Sequence, residues 1–206
     1  MNKEIKLKFH NRGLRSYIEV DLCAECPRQD AKGCCGYYSP VFYASDFAYL
    51  LEKKPELIEH ILQADRITVL DTSVTLNKSI DGDSYRCHFH SQEGGCSLAQ
   101  EERESICRHF VCPGIDWERE PGLFHWKRFF TMLFDYEIEL NNEIARVLSE
   151  EGLSLRNEND RAAFFSRLQD IFRDKTSKLP DFFKECPEKE EATLLREISF
   201  GQDWKL

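Results

Sequence analysis

Long apolar runs are missing from this chain. No stretch of 18 apolar residues occurs anywhere in its 206, so the sequence predicts no membrane-spanning helix. The N-terminus lacks the apolar core of a secretory signal. MNKEIKLKFHNRG instead alternates Ile5, Leu7 and Phe9 with Lys6 and Lys8, which is a strand pattern. Positive charge is scarce as well: 28 Lys and Arg stand against 37 Asp and Glu, and a net charge of −9 argues against a nucleic-acid surface. There is no Gly-rich phosphate loop, no HExxH and no GxSxG, and no general base stands out. Internal repeats and low-complexity segments are also absent. These absences predict a cytoplasmic protein with no membrane and no nucleic-acid partner. They leave the oligomeric state open, together with any protein partner.

What the chain has in excess is cysteine. Nine are present, eight of them between Cys23 and Cys112. Cys186 stands alone and reads as a spare thiol. With 41% hydrophobic residues over 206 positions a sizeable core is available, so disulfide staples are not needed for folding. In a reducing compartment, clustered thiols are metal ligands or catalytic groups more often than disulfides. A thioredoxin-like reading of Cys23-x-x-Cys26 requires a long helix starting at the motif, and PRQDAKGCCG has no apolar stripe to make one.

The eight fall into two groups. The first is C-x2-C-x7-C-C (Cys23, Cys26, Cys34, Cys35) and the second C-x8-C-x10-C-x4-C (Cys87, Cys96, Cys107, Cys112). Four plus four is the ligand count of two four-coordinate centres. A C-x2-C step lets two thiolates reach one ion from a tight loop, as zinc sites require, and iron–sulfur clusters use similar spacings. Zinc is the reading preferred here, since a four-thiolate site needs no cluster assembly; an iron–sulfur centre is the alternative. Gly33, Gly36, Gly94 and Gly95 flank the ligands and permit the backbone to turn towards sulfur. Ser97-Leu98-Ala99-Gln100 reads as a capping pattern that sets Cys96 just before a helix. Arg28, Arg86, Arg103 and Arg108 are close enough in sequence to offset thiolate charge. Adjacent side chains on extended backbone oppose each other, so Cys34 and Cys35 either serve two neighbouring centres or sit in a turn that bends both to one. The shared arrangement predicts that both groups meet in one place.

The pattern resembles the YkgJ-like cysteine-cluster family of zinc- or iron-chelating proteins. The matching parts are CAEC…CCGYY, GGCSLA and CRHFVCP, between Cys23 and Cys112. In one respect the chain departs: the family often has Arg-Pro shortly before the CR step, whereas here Arg103 is followed by Glu104. That bears on the short helix there and removes no ligand. A flagellin lysine methylase carries a similar cysteine block, so the resemblance also allows an iron–sulfur enzyme or redox protein.

Three histidines lie among the ligands. His88 and His90 are expected on one face of a strand that carries Cys87 on the other, and His109 is a candidate supporting or substitute ligand. Asp116-Trp117 reads as a loop with its Trp packed over the cluster.

For the fold the sequence predicts an α+β protein: a small β-rich cysteine-cluster module, residues 1–120, with a helical C-terminal region, residues 121–206, packed on it. Strands are expected around Ile5–Phe9, Ser16–Val20, Tyr37–Tyr43 and residues 66–90, with a helix opening at Ser45-Asp46 and restarting at Pro55. Phe129, Leu133, Tyr136, Leu140, Ile144 and Val147 define a long amphipathic helix, and Phe164 to Phe172 a second after Asn157. A last short helix is expected after Pro187, using Leu194, Leu195 and Ile198. The helices then offer a surface for a protein partner.

Overall fold

The computed structural model describes residues 2–25, 34–82, 84–91 and 95–197. Strand β1 (Asn2–His10) forms as its alternation requires: Ile5, Leu7 and Phe9 are fully buried and Lys6 faces out. A turn with Gly13 at φ +62° returns the chain into β2 (Tyr17–Val20), antiparallel to β1 with Leu7 opposite Val20. A one-turn helix, α1 (Cys34–Tyr37), and a short strand, β3 (Val41–Phe42), take the place of the continuous strand expected over Tyr37–Tyr43.

Helix α2 (Ala44–Lys53) begins where Asp46 reaches back to accept a hydrogen bond from the Tyr43 N–H (3.0 Å). Pro55 opens α3 (Pro55–Leu62) at a first-turn position, where its missing N–H costs nothing. Strands β4 (Ile67–Val69) and β5 (Val74–Leu76) join β3 in an antiparallel sheet of order β3-β5-β4. The hairpin β6 (Ser79–Asp81) and β7 (Ser84–Arg86) follows, turning through Gly82 at φ +61°. After α4 (Ser105–His109) come the long α5 (Phe124–Glu150) and α6 (Arg161–Lys175), and Asn157 caps the 3-10 turn Glu158–Asp160 that leads into α6.

The chain ends its described part in a strand, not the helix expected after Pro187. β8 (Lys189–Glu197) pairs antiparallel with β1 over nine positions, from Asn2 opposite Glu197 to His10 opposite Lys189. The local composition favours helix, but β1 has a second edge whose N–H and C=O groups need partners, and tertiary pairing overrides propensity. Burial along β8 alternates accordingly, with Leu194 inside and Thr193 and Leu195 outside. Ile198 lies outside the described residues.

The fold is α+β. Its sheet, of order β2-β1-β8, crosses the division expected at residue 120, and one apolar core takes in residues from both sides of it, from Ile5 to Leu194. Phe9 stacks on Trp126 at 5.2 Å and meets Trp117 at 5.1 Å, so β1 rests directly on α5. Trp126 Nε1 donates to Glu190 (2.7 Å), which ties α5 to β8. Among the described residues no helix is long and apolar enough to cross a membrane.

Candidate metal centre

Six of the eight grouped cysteines line one cavity of about 70 Å³: Cys23, Cys35, Cys87, Cys96, Cys107 and Cys112. Each arrives on a different short element. Cys23 is in the 3-10 turn Asp21–Glu25 after β2, and Cys35 is in α1. Cys87 follows β7 directly, Cys96 bridges His90, Cys107 is in α4, and Cys112 precedes the 3-10 turn Pro113–Ile115. Cys26 lies outside the described residues, and Cys34 opens α1. The adjacent pair therefore begins a helical turn and is not on the extended backbone for which opposed side chains are expected.

Backbone contacts bring the two groups together. The Cys87 N–H donates to the Cys35 carbonyl (2.6 Å). Ser91 N–H donates to Gly95 O (2.9 Å), and Ser97 donates to Phe89 O through both its N–H (2.8 Å) and its hydroxyl (3.0 Å). Gly95 carries this loop against the first group. Its φ is +73°, and a Cβ there would fall 2.9 Å from the Cys23 carbonyl oxygen, so only glycine permits the approach.

Two local expectations are corrected. Residues Cys87–His90 do not continue the strand: β7 ends at Arg86 and the chain turns, with His90 N–H donating to Cys87 O (3.1 Å). The turn sends His88 outward to α3, where its Nε2 stands 3.1 Å from Nε2 of His60, and separates it from His90. Burial, with the neighbouring His60, holds His88 below its ordinary range. Nor does a helix start at Cys96. The capped turn is the 3-10 segment Gln100–Glu102, where Glu102 accepts from Ala99 N–H (3.2 Å), so the helix-dipole effect expected at Cys96 does not operate.

Helix α4 carries Cys107 and is built around Glu104, the residue at the departure from the family pattern. Its carboxylate caps the helix, accepting from Ile106 N–H (3.0 Å) and Cys107 N–H (2.7 Å). Burial pushes the Glu104 acid up to about 7, against the opposing hydrogen bond from Cys107. Arg108 turns away from the cavity, fully buried, to pair with Glu137 of α5 and donate to Ser16 O (2.8 Å). Arg15 pairs with Asp46 (2.7 Å) and donates to Glu101 O (2.6 Å) and Arg103 O (2.6 Å). Burial pushes the Arg15 guanidinium down, and the Arg108 charge adds to this. His109 follows Arg108 away from the thiols, packing on Phe130 at 5.0 Å; burial beside Arg108 and Arg15 holds it well below its ordinary range. Trp117 belongs to the aromatic core on Phe9, while Ile115 takes a place on the cavity wall.

The remaining wall is mostly apolar, with Val20, Leu22, Phe42, Phe89 and Leu98 among its residues. Tyr38, Glu104 and Arg103 bring polar groups, and burial raises the Tyr38 phenol. Of the expected arginines, Arg103 lines the cavity and Arg28 lies outside the described residues. Among the described residues no three His, Cys, Asp or Glu side chains stand close enough together to hold one ion. Six sulfurs nevertheless surround one apolar space, and thiolate sulfur is the donor type that zinc and iron–sulfur centres use. Beside it opens a groove of about 420 Å³ that shares Cys23 and Cys96 with the cavity and adds Lys6, Lys8, Glu19 and Asp21.

Sequence reasoning missed the Arg15–Asp46 and Arg108–Glu137 pairs, because four charged residues from four segments carry no shared spacing. It also missed His60, whose only signal is an outward position on α3. Comparison with protein-family models, with curated proteins and with solved structures finds no match, so the likeness to the cysteine-cluster family stands on the cysteine spacing alone.

Proposed function

We propose that this chain is a metal-binding protein of the YkgJ-like cysteine-cluster kind, holding one or two thiolate-ligated centres with Cys23, Cys26, Cys34, Cys35, Cys87, Cys96, Cys107 and Cys112. The observation that carries the reading is the convergence of six thiols, from both groups, on one apolar cavity. A cytoplasmic setting keeps such thiols reduced and available. In the zinc form each ion takes four thiolates at about 2.3 Å, and closing the loops around it supplies folding free energy. Arg103, which lines the cavity, is the positive side chain placed to offset thiolate charge there.

A second reading, an iron–sulfur centre, is favoured by the spread of the described thiols around the cavity, since a polynuclear cluster spans more space than one ion. In that form the groove at Cys23 and Cys96 is the approach for a substrate or protein partner, as a protein-modifying methylase or a redox protein requires. Anaerobic purification with metal analysis and an absorption spectrum tests both. Zinc gives bound metal and a colourless protein; an iron–sulfur centre gives iron, sulfide and visible absorption. Reduced, metal-free protein that takes up neither after reconstitution overturns the proposal.

A further inference from the structure

His60 is on α3 and His88 is in the turn after Cys87, and their Nε2 atoms stand 3.1 Å apart. Both side chains are exposed, and both rings rest on the same buried phenyl, Phe89, at 5.8 and 5.1 Å between centroids. That shared support keeps the two imidazoles side by side on elements 28 residues apart in the chain. The Asp65 carboxylate is near enough for its charge to act on His88.

We propose that His60 and His88 form a second metal site, a surface chelate for a divalent transition ion such as Ni²⁺ or Zn²⁺. Imidazole nitrogen suits these ions. An ion bonded at about 2.0–2.1 Å to two nitrogens with this separation makes an N–metal–N angle of roughly 98°, between the octahedral and tetrahedral values. With both rings open to solvent, water completes the coordination, and Asp65 adds favourable negative charge. The ring centroids, 5.2 Å apart, are placed so that modest rotation of two exposed side chains aims both lone pairs at one point. Without an ion, one Nε2–H donates to the other nitrogen, so the pair is satisfied in either state. An ion there ties α3 to the loop that begins at Cys87. This site does not rest on the reading of the cysteine cavity, since neither imidazole lines it.

The test is Ni²⁺ binding to the full chain under reducing, anaerobic conditions, with the cysteines in whatever state purification leaves them. Equilibrium dialysis counts Ni²⁺ per chain, and imidazole NMR resonances locate it by paramagnetic broadening. His60→Gln and His88→Gln should each bind one Ni²⁺ fewer than wild type. His125→Gln, an exposed histidine paired with Glu190 instead, should bind as wild type does. Broadening in wild type should be strongest at His60 and His88. Equal Ni²⁺ counts in wild type and both variants would overturn the proposal, even if the variants melt lower, because that outcome leaves only a hydrogen bond between the rings. An equal loss in His125→Gln would overturn it too, by showing non-specific surface binding.

Discussion

The two ends of this molecule are built on different principles. At one end β1 lies between β2 and β8 and rests on α5, and Phe9, Trp117, Trp126 and Phe130 fill the interface with centroid separations of 5.1 to 6.5 Å. Regular elements present apolar faces to each other there, and burial with a continuous ladder holds them. At the other end the cysteine cavity is bounded by one-turn helices, 3-10 turns and short hairpins, joined by a few backbone hydrogen bonds such as Cys87 to Cys35. Such segments gain little from local structure, and bringing them together costs closure entropy. The first end therefore stands on its own packing, while under the proposed function the second is completed by a metal that draws its thiols in.

Removing metal should break the comparison open most widely. Chelation under reducing conditions withdraws on the order of 10 kcal/mol of binding free energy where a structural zinc is involved. Hydrogen exchange should then rise sharply over residues 84–91 and 95–115, while α5 and α6 keep their protection. Uniform loss of protection across both ends would show that they are a single cooperative unit, and no change would show that the thiols do not hold the fold.

Trp126→Ala addresses the opposite end. Its side chain is fully buried, and truncation of such a residue costs about 3–5 kcal/mol. The expected result is a lower melting temperature with metal content unchanged in the protein that remains folded. Metal loss in parallel with unfolding at low denaturant would blur the distinction between the ends.

The buried pair Arg108–Glu137 fastens one end to the other, because Arg108 belongs to the cysteine-bearing α4 and Glu137 to α5. A buried ion pair is weak grounds for net stability, but removing one partner strands the other charge, at about 3–5 kcal/mol. Glu137→Ala should lower stability by that order and weaken metal retention too, since Cys107 sits one residue before Arg108. Replacing both partners by apolar residues of similar volume should recover much of the loss. Failure of that double variant to recover would point to a role for the charges at the centre itself.

The same contrast explains what the sequence made legible. Period-2 alternation in β1 and the 3.6-residue stripe of α5 are local signals, and both elements lie where they were expected. The cysteine spacing marked candidate ligands and implied that the two groups converge, and six of those thiols line one cavity. β8 was not legible, since KEEATLLRE favours helix locally and becomes strand only because β1 offers an open edge far away in sequence. The turn at His88 and Phe89 was hidden for a related reason: an alternating polar and apolar run looks like a strand until Phe89 is drawn into the core beside Phe42. Arg15, Asp46 and Glu137 look like solvated charges in the sequence, and only the packing of α2, α4 and α5 makes them a buried network.

Gly95→Ala gives a smaller and more local effect. The left-handed backbone alone costs about 1–2 kcal/mol, and the new Cβ would press on Cys23 O at 2.9 Å. The loop must back away from the first group, so metal retention should fall by more than the melting temperature does. An alanine variant with full metal content would mean that the close approach of the Gly95 loop to Cys23 is not needed for the centre. Gly82→Ala is the matched control: it also has positive φ, at +61°, but nothing lies within 4 Å of its added Cβ.

The smallest effect is expected at Cys186, a thiol on the other side of the comparison. It is buried, lies outside the cavity, and its thiol points at the His125 carbonyl at 3.7 Å. Burial, with Glu190 and Glu185 nearby, pushes its thiol up to about 11. At neutral pH that lowers its thiolate fraction on the order of 100-fold, which makes it a poor nucleophile and a poor ligand. In metal-free native protein, iodoacetamide should therefore modify Cys186 last, and peptide mapping over time reads the order directly. Cys186→Ser should leave metal content unchanged and shift the melting temperature little, because a hydroxyl can donate to the same carbonyl. Early alkylation, or metal lost on substitution, would move Cys186 across the divide and make it a ninth member of the centre.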